Sequence, residues 1–137
     1  MREITKIILH CSATREGGKY TAADIKRWHL QRGFSDIGYH YVIEADGRLV
    51  AGRPAAIMGA HCKVNRGNHD SIGICYVGGL DKDGKPKDTR TAAQKQTIQT
   101  LLTALHNIWP KAKVYGHRDF ANVECPCFDA KSEYIFS

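Results

Sequence analysis

Three residues far apart in the chain could meet to do chemistry: His10, His117 and Cys125. Two imidazoles and one thiolate form a donor set for a catalytic zinc. Such a centre takes three protein ligands and keeps a fourth position open for water or substrate. With one thiolate its net charge stays near about +1, which favours acidifying a bound water and polarising a carbonyl. Spacing alone does not require this reading. No C-x2-C is present, and His117 and Cys125 stand eight residues apart, which is not a standard zinc spacing. Read singly, each histidine is equally an ordinary, partly buried side chain. The chain holds seven His and five Cys. An odd number of cysteines cannot pair completely, and without a leader a reducing compartment is expected. Cys11 reads as a small buried residue facing opposite His10. On an extended segment, Cys127 would face the same side as Cys125.

The elements that must position these residues follow from periodicity. Residues 4–11, ITKIILHC, form a β-branched apolar run and read as a strand, with Ile7 and Leu9 on one face and Ile8 and His10 on the other. Residues 14–19 read as a loop. Thr21 and Asp24 make a capping pattern for a helix that carries Ile25, Trp28 and His29 and stops at Gly33. Residues 39–44, YHYVIE, read as a strand that returns through Asp46-Gly47 as a hairpin over 48–50. The stretch 52–70 has no clean period and reads as irregular surface around a site. Residues 72–77, IGICYV, have the continuous apolar character of a central strand. Residues 78–90 read as a loop. Thr91 and Gln94 cap a helix with Ile98, Leu101, Leu102, Leu105 and Ile108 at helical spacing. Residues 113–115 read as a short strand, and 130–134 as a last turn capped by Asp129.

Strands alternating with helices predict an α/β fold: a single domain over 1–137, with a central mixed β-sheet, helices on both faces and the site at the strand ends. His10 ends the first strand and His117 follows the last. Ligands collect at such strand ends in α/β sheets. A length of 137 residues suits one domain. No apolar run reaches the roughly 18–20 residues that span a bilayer, so no stable membrane association is expected. No leader peptide is evident at the N-terminus. Lys and Arg outnumber Asp and Glu by 20 to 14, for a net charge of +6. A basic balance favours polyanions such as nucleic acid, anionic lipid or wall polymers. The basic residues are scattered, without an aromatic-interleaved stripe, so no nucleic acid is expected as partner.

Several segments together carry a family resemblance: ILHCSAT at 8–14, GYHYVI at 38–43, DG at 46–47, AH at 60–61, NHDSIGI at 68–74, VGG at 77–79, GHRD at 116–119 and CPCFD at 125–129. In this order and at these distances they resemble the zinc-dependent N-acetylmuramoyl-L-alanine amidases. The small phage lysozyme type, related to the peptidoglycan recognition proteins, is the most similar. The resemblance runs from about Ile4 to Tyr134. It implies one Zn2+ per chain on His10, His117 and Cys125. It also implies a catalytic Tyr39, whose phenol would hold the attacking water or donate to the oxyanion. The implied reaction is hydrolysis of the amide between the lactyl group of N-acetylmuramic acid and L-alanine in peptidoglycan.

One position departs from the pattern. Phage enzymes usually place a lysine two residues before the cysteine ligand, and here that residue is Val123. Valine carries neither charge nor donor. Candidates to compensate are His61 as a catalytic group, favoured for its place in the segment read as the site rim, and His69 and Arg118 on the substrate. The alternative is a non-catalytic or very slow peptidoglycan-binding module on the same fold. His40, His29 and Trp28 read as structural. The expectation is a monomer that meets muramyl-peptides with its own surface. It would be made in the cytoplasm and act on the cell wall after phage-type release.

Overall fold

The computed structural model describes residues 2–135. Its centre is β1 (Lys6–Cys11), buried at every residue but Lys6. Ile7, Leu9 and Cys11 point to one face, while Ile8 and His10 point to the other. β1 pairs in parallel with β5 (Ser71–Tyr76) on one side and β7 (Lys113–Gly116) on the other. β3 (Tyr41–Ile43) adds in parallel to β5 and turns back antiparallel through β4 (Leu49–Ala51). The order is β4-β3-β5-β1-β7, a mixed sheet as expected. The hairpin uses Gly47 at φ 90°, which explains the Asp-Gly turn.

One face is covered by one helix, the other by a long helix and the C-terminal tail. α1 (Ala22–Gln31) lays Ala22 and Ile25 against Val42, Cys75 and Val77. α2 (Ala92–Ile108) lays Ile98, Leu101, Leu102 and Leu105 against Ile7, Leu9, Ile43, Ile72 and Ile74. Burial on both faces is why β5 is apolar nearly throughout. Both helices start on the capping boxes read from sequence, Thr21 with Asp24 and Thr91 with Gln94. Gln94 is fully buried, and its amide donates to the Ile43 and Val77 carbonyls.

Three expectations change. The strand expected at 39–44 keeps only Tyr41–Ile43; the chain bends at His40, though His40 still bonds the Gly73 carbonyl and the Gly52 N–H. The loops at 14–19 and 78–90 each give two residues to a small parallel pair, β2 (Thr14–Arg15) and β6 (Gly79–Leu80). The segment after Cys125 is not extended. Cys127 has φ 70°, and its Sγ turns towards Cys11 Sγ, 3.9 Å away, instead of joining Cys125.

The C-terminal tail, with α3 (Ala130–Glu133), is fastened by one side chain. The Arg90 guanidinium is 2% exposed. It donates to Asp88 at 2.9 Å, to both Glu133 oxygens at 2.7 and 2.9 Å, and to the Tyr134 hydroxyl at 2.8 Å. Its carbon lies 3.4 Å from the Phe128 ring centroid. These bonds tie the loop before α2 to the segment that follows Cys125. The Arg90 hydrogen bond holds the Glu133 carboxyl below its usual range; at Asp88 burial pushes upward but the bonds to Arg90 outweigh it. A depressed carboxyl stabilises the fold above its unfolded pKa and loses that contribution as pH falls through the folded value. Arg90→Met is therefore expected to cost about 2–3 kcal/mol, less than a fully buried pair because the two carboxylates can rehydrate. Urea unfolding across pH checks this: wild-type stability should drop below roughly pH 4, and the variant should show a shallower drop.

Candidate active site

Parallel pairing brings the donors together. Leu9 is opposite Gly116 in the β1–β7 register, so His10 and His117 leave the two strands side by side. Their ring centroids are 4.6 Å apart. Cys125 comes back over the strand ends, and its carbonyl accepts the Arg118 backbone N–H at 2.8 Å. One donor atom from each of His10, His117 and Cys125 lies within 4.8 Å of the others. His10 Nδ1 is the nitrogen on the sulfur side, 3.8 Å from Cys125 Sγ. The Cys11 backbone N–H donates to the same sulfur at 3.2 Å.

The electrostatics suit metal ligation. Burial, then the neighbouring His61 and His117, hold His10 well below the usual histidine range. Burial lowers His117 too. Both imidazoles are neutral at pH 7, the form that binds a metal. A neutral N, a neutral N and a sulfur with a backbone donor fit a zinc-type centre with an open position.

Tyr39 stands beside this group, its ring 5.2 Å from that of His10. Burial of its hydroxyl end, then nearby cysteine sulfurs, raise its pKa well above 10. The phenol therefore stays protonated and able to donate. A cleft of about 730 Å³ opens above. Its walls include His29, Arg32, Phe34, Lys63, Val64, Leu80, Pro86, Val123 and Glu124. The Arg32 guanidinium rests 5.0 Å from the Phe34 ring centroid. Val123 is 43% exposed on this wall.

The remaining sequence candidates separate. His61 is not an exposed rim residue: it is 9% exposed, and its Nδ1 lies 2.8 Å from His10 Nε2. Burial, followed by surrounding positive groups, pushes its pKa down to about 3, so it is neutral. His69 is exposed and lies outside the cleft lining. The Arg118 side chain is also exposed and outside the lining; only its backbone serves the cysteine loop. His40 braces the fold, accepting the Gly73 N–H on Nδ1 and donating from Nε2 to the Ile57 carbonyl. His29 packs as expected, its Nδ1 accepting the Gly38 N–H, but its ring also walls the cleft against Tyr39. Sequence reasoning passed over Asn68, Ser71 and Gly73. Asn68 Oδ1 accepts the N–H groups of His61 and Cys62 at 2.8 and 2.7 Å. Ser71 Oγ lies 3.2 Å from His61 Nε2. All three sit in the NHDSIG run, where His69 alone had an assigned task.

A mixed α/β sheet with two imidazoles, a thiol and a protonated phenol under an open cleft defines a hydrolase that can hold a metal ion. Residues 1–128 match the family described as N-acetylmuramoyl-L-alanine amidase, and the chain belongs to that family. It is 40% identical over 125 residues to the endolysin of Enterobacteria phage T3, covering 91% of this chain and 82% of the phage protein. Its fold matches the N-acetylmuramoyl-L-alanine amidase LysC of Clostridium intestinale with a TM-score of 0.80 at 27% identity, over 96% of this chain and 82% of LysC. It also matches a chain of the ectodomain complex of peptidoglycan recognition proteins LCa and LCx, solved with tracheal cytotoxin bound, with a TM-score of 0.73 at 26% identity, over 91% and 76% of the two chains. The protein is an amidase of the peptidoglycan-degrading class.

The packing of His61 gives a direct check. A Cβ on Gly73 would sit 2.6 Å from the His61 ring. Gly73→Ala is expected to destabilise the fold by about 1–3 kcal/mol through overpacking. Thermal or urea unfolding of the variant measures it.

Proposed function

We propose that the chain cleaves the amide between the lactyl group of N-acetylmuramic acid and the first L-alanine of the stem peptide, using one Zn2+ held by His10, His117 and Cys125. The observation that carries this is the convergence of those three donors beneath the cleft. A zinc ion held there supplies a Lewis acid and a water acidified to a pKa near about 7.

The protein's own groups do the rest. Neutral His10 and His117 present lone pairs, and the Cys11 N–H steadies the Cys125 sulfur. Tyr39 keeps its proton on Oη and donates it as a hydrogen bond to the carbonyl oxygen as negative charge builds there. Phe34, Val64, Leu80, Pro86 and Val123 offer apolar contact to the substrate. Arg32 and Lys63 supply cations for the carboxylates of an acidic stem peptide. The bound cytotoxin in the LCa–LCx complex supports peptidoglycan fragments as ligands of this fold. The chain acts as one domain and as a monomer, and its charge of +6 assists approach to an anionic wall. No described helix is long and apolar enough to cross a membrane. The phage endolysin relatives support action at the cell wall.

Purified protein incubated with defined muramyl-peptides, with mass spectrometry of the products, tests the reading. Separated glycan and an L-alanine-starting peptide are expected. A chelator and Cys125→Ala should each abolish cleavage, and metal analysis should find about one zinc per chain. Intact substrate that still binds would instead establish the binding-module alternative. Tyr39→Phe should keep its zinc and lose about 10²–10³-fold in kcat, the usual cost of one donor to the developing charge.

A further inference from the structure

A chain of hydrogen bonds leads from the metal donors into the protein. His10 Nε2 lies 2.8 Å from His61 Nδ1. His61 Nε2 lies 3.2 Å from Ser71 Oγ. The Ser71 hydroxyl donates to the Gly67 carbonyl at 2.5 Å. The far end sets the direction of every bond. A carbonyl only accepts, so Ser71 must give it its single proton. The Ser71 oxygen then accepts from His61 Nε2–H. A neutral imidazole has one N–H, so His61 Nδ1 is bare and accepts from His10 Nε2–H. His10 is left with its lone pair on Nδ1, the nitrogen that faces Cys125 Sγ.

We propose that Ser71 and the Gly67 carbonyl, acting through His61, lock His10 in its Nε2–H tautomer and aim Nδ1 at the metal position. His61 is then a positioning residue and not a group that touches substrate. The inference rests on the zinc reading only for its consequence; the proton chain itself is a property of the protein alone.

The surroundings of His61 are built for this. Asn68 Oδ1 takes the His61 and Cys62 backbone N–H groups and fixes the main chain beneath the ring. Gly73 leaves room for the ring on one side: a Cβ there would come within 2.6 Å. Gly59 leaves room on another: a Cβ there would be 2.8 Å from His61 Cδ2. Ser71 is fully buried, so no water competes for its hydroxyl. Thus Asn68, Ser71 and Gly73 of one short motif all serve one imidazole, and through it the first metal donor. A ligating histidine commonly gives its other N–H to a fixed acceptor, and losing that acceptor typically weakens metal binding about 10–100-fold.

Long-range proton–nitrogen NMR of the 15N-labelled, metal-free chain reads the tautomers directly. His10 and His61 should both show the Nε2–H pattern, and Ser71→Ala should leave His10 a mixture. Zinc affinity, measured by competition with a chromophoric chelator, should fall about 10–100-fold in His61→Phe and Ser71→Ala. His61→Asn, whose Oδ1 can accept from His10 Nε2–H, should recover most of it. A wild-type His10 protonated on Nδ1 overturns the proposal, and this result needs no variant to fold. Unchanged zinc affinity in folded His61→Phe, with kcat reduced, also overturns it and makes His61 a catalytic group. Expected tautomers in a wild type that takes up no zinc would sink the metal reading while the proton chain stands.

Discussion

The site depends on β1 lying parallel between β5 and β7. Parallel strands end on the same side of a sheet, so the loops that leave them share one rim. His10, at the end of β1, and His117, just past β7, become neighbours although more than a hundred residues separate them. β5 supplies the second half of the arrangement from inside. Its Ser71 and Gly73 sit opposite Lys6 and Ile8 in the register, one strand over from His10. The hydrophobic faces of α1 and α2 hold this central trio in place, so the apolar core and the polar centre are two consequences of one pairing.

That pairing puts polar groups where water does not reach, and each then needs a partner. The tail is held by a guanidinium whose donors are spent on Asp88, Glu133 and Tyr134. The imidazoles are held by one another, by backbone and by Ser71. The two solutions differ in charge. Arg90 stays ionised because carboxylates meet it at the surface. The histidines become neutral because burial dominates, helped by neighbouring imidazoles and, at His61, by Arg2 and Arg53. Neutral nitrogen is what a metal centre uses, so burial does chemical work here as well as structural.

Much of this was legible in the sequence. The alternation in KIILHC, the two capping boxes and the apolar run at 72–77 each report local structure, and each appears where the pattern puts it. The convergence of His10 and His117 follows from strand-end placement. What was not legible depends on contacts between distant segments. A two-residue strand such as β2 has no period to read. The turn at Cys127 is a left-handed backbone angle at a non-glycine residue, which no local preference announces. His61 lies in an aperiodic stretch, where burial cannot be inferred from spacing. Only the packing of 52–70 onto β5 shows that it is an interior residue.

The departure at Val123 gains a physical frame from these contacts. The cleft floor is made of neutral imidazoles, a phenol and a sulfur, while its cations, Arg32 and Lys63, stand on the wall formed by the end of α1 and the 52–70 segment. The lining also carries Val123 and Glu124, which directly precede Cys125. Around the Cys125 sulfur stand the Cys11 N–H at 3.2 Å, His10 Nδ1 at 3.8 Å and the Cys11 carbonyl at 3.9 Å. Tyr39, which burial keeps protonated, lines the same cleft, and the floor owes its rigidity to rings packed on one another. The fixed orientation of His10 is part of that rigidity, because a ring that turned would displace both the metal position and the phenol packed 5.2 Å from it.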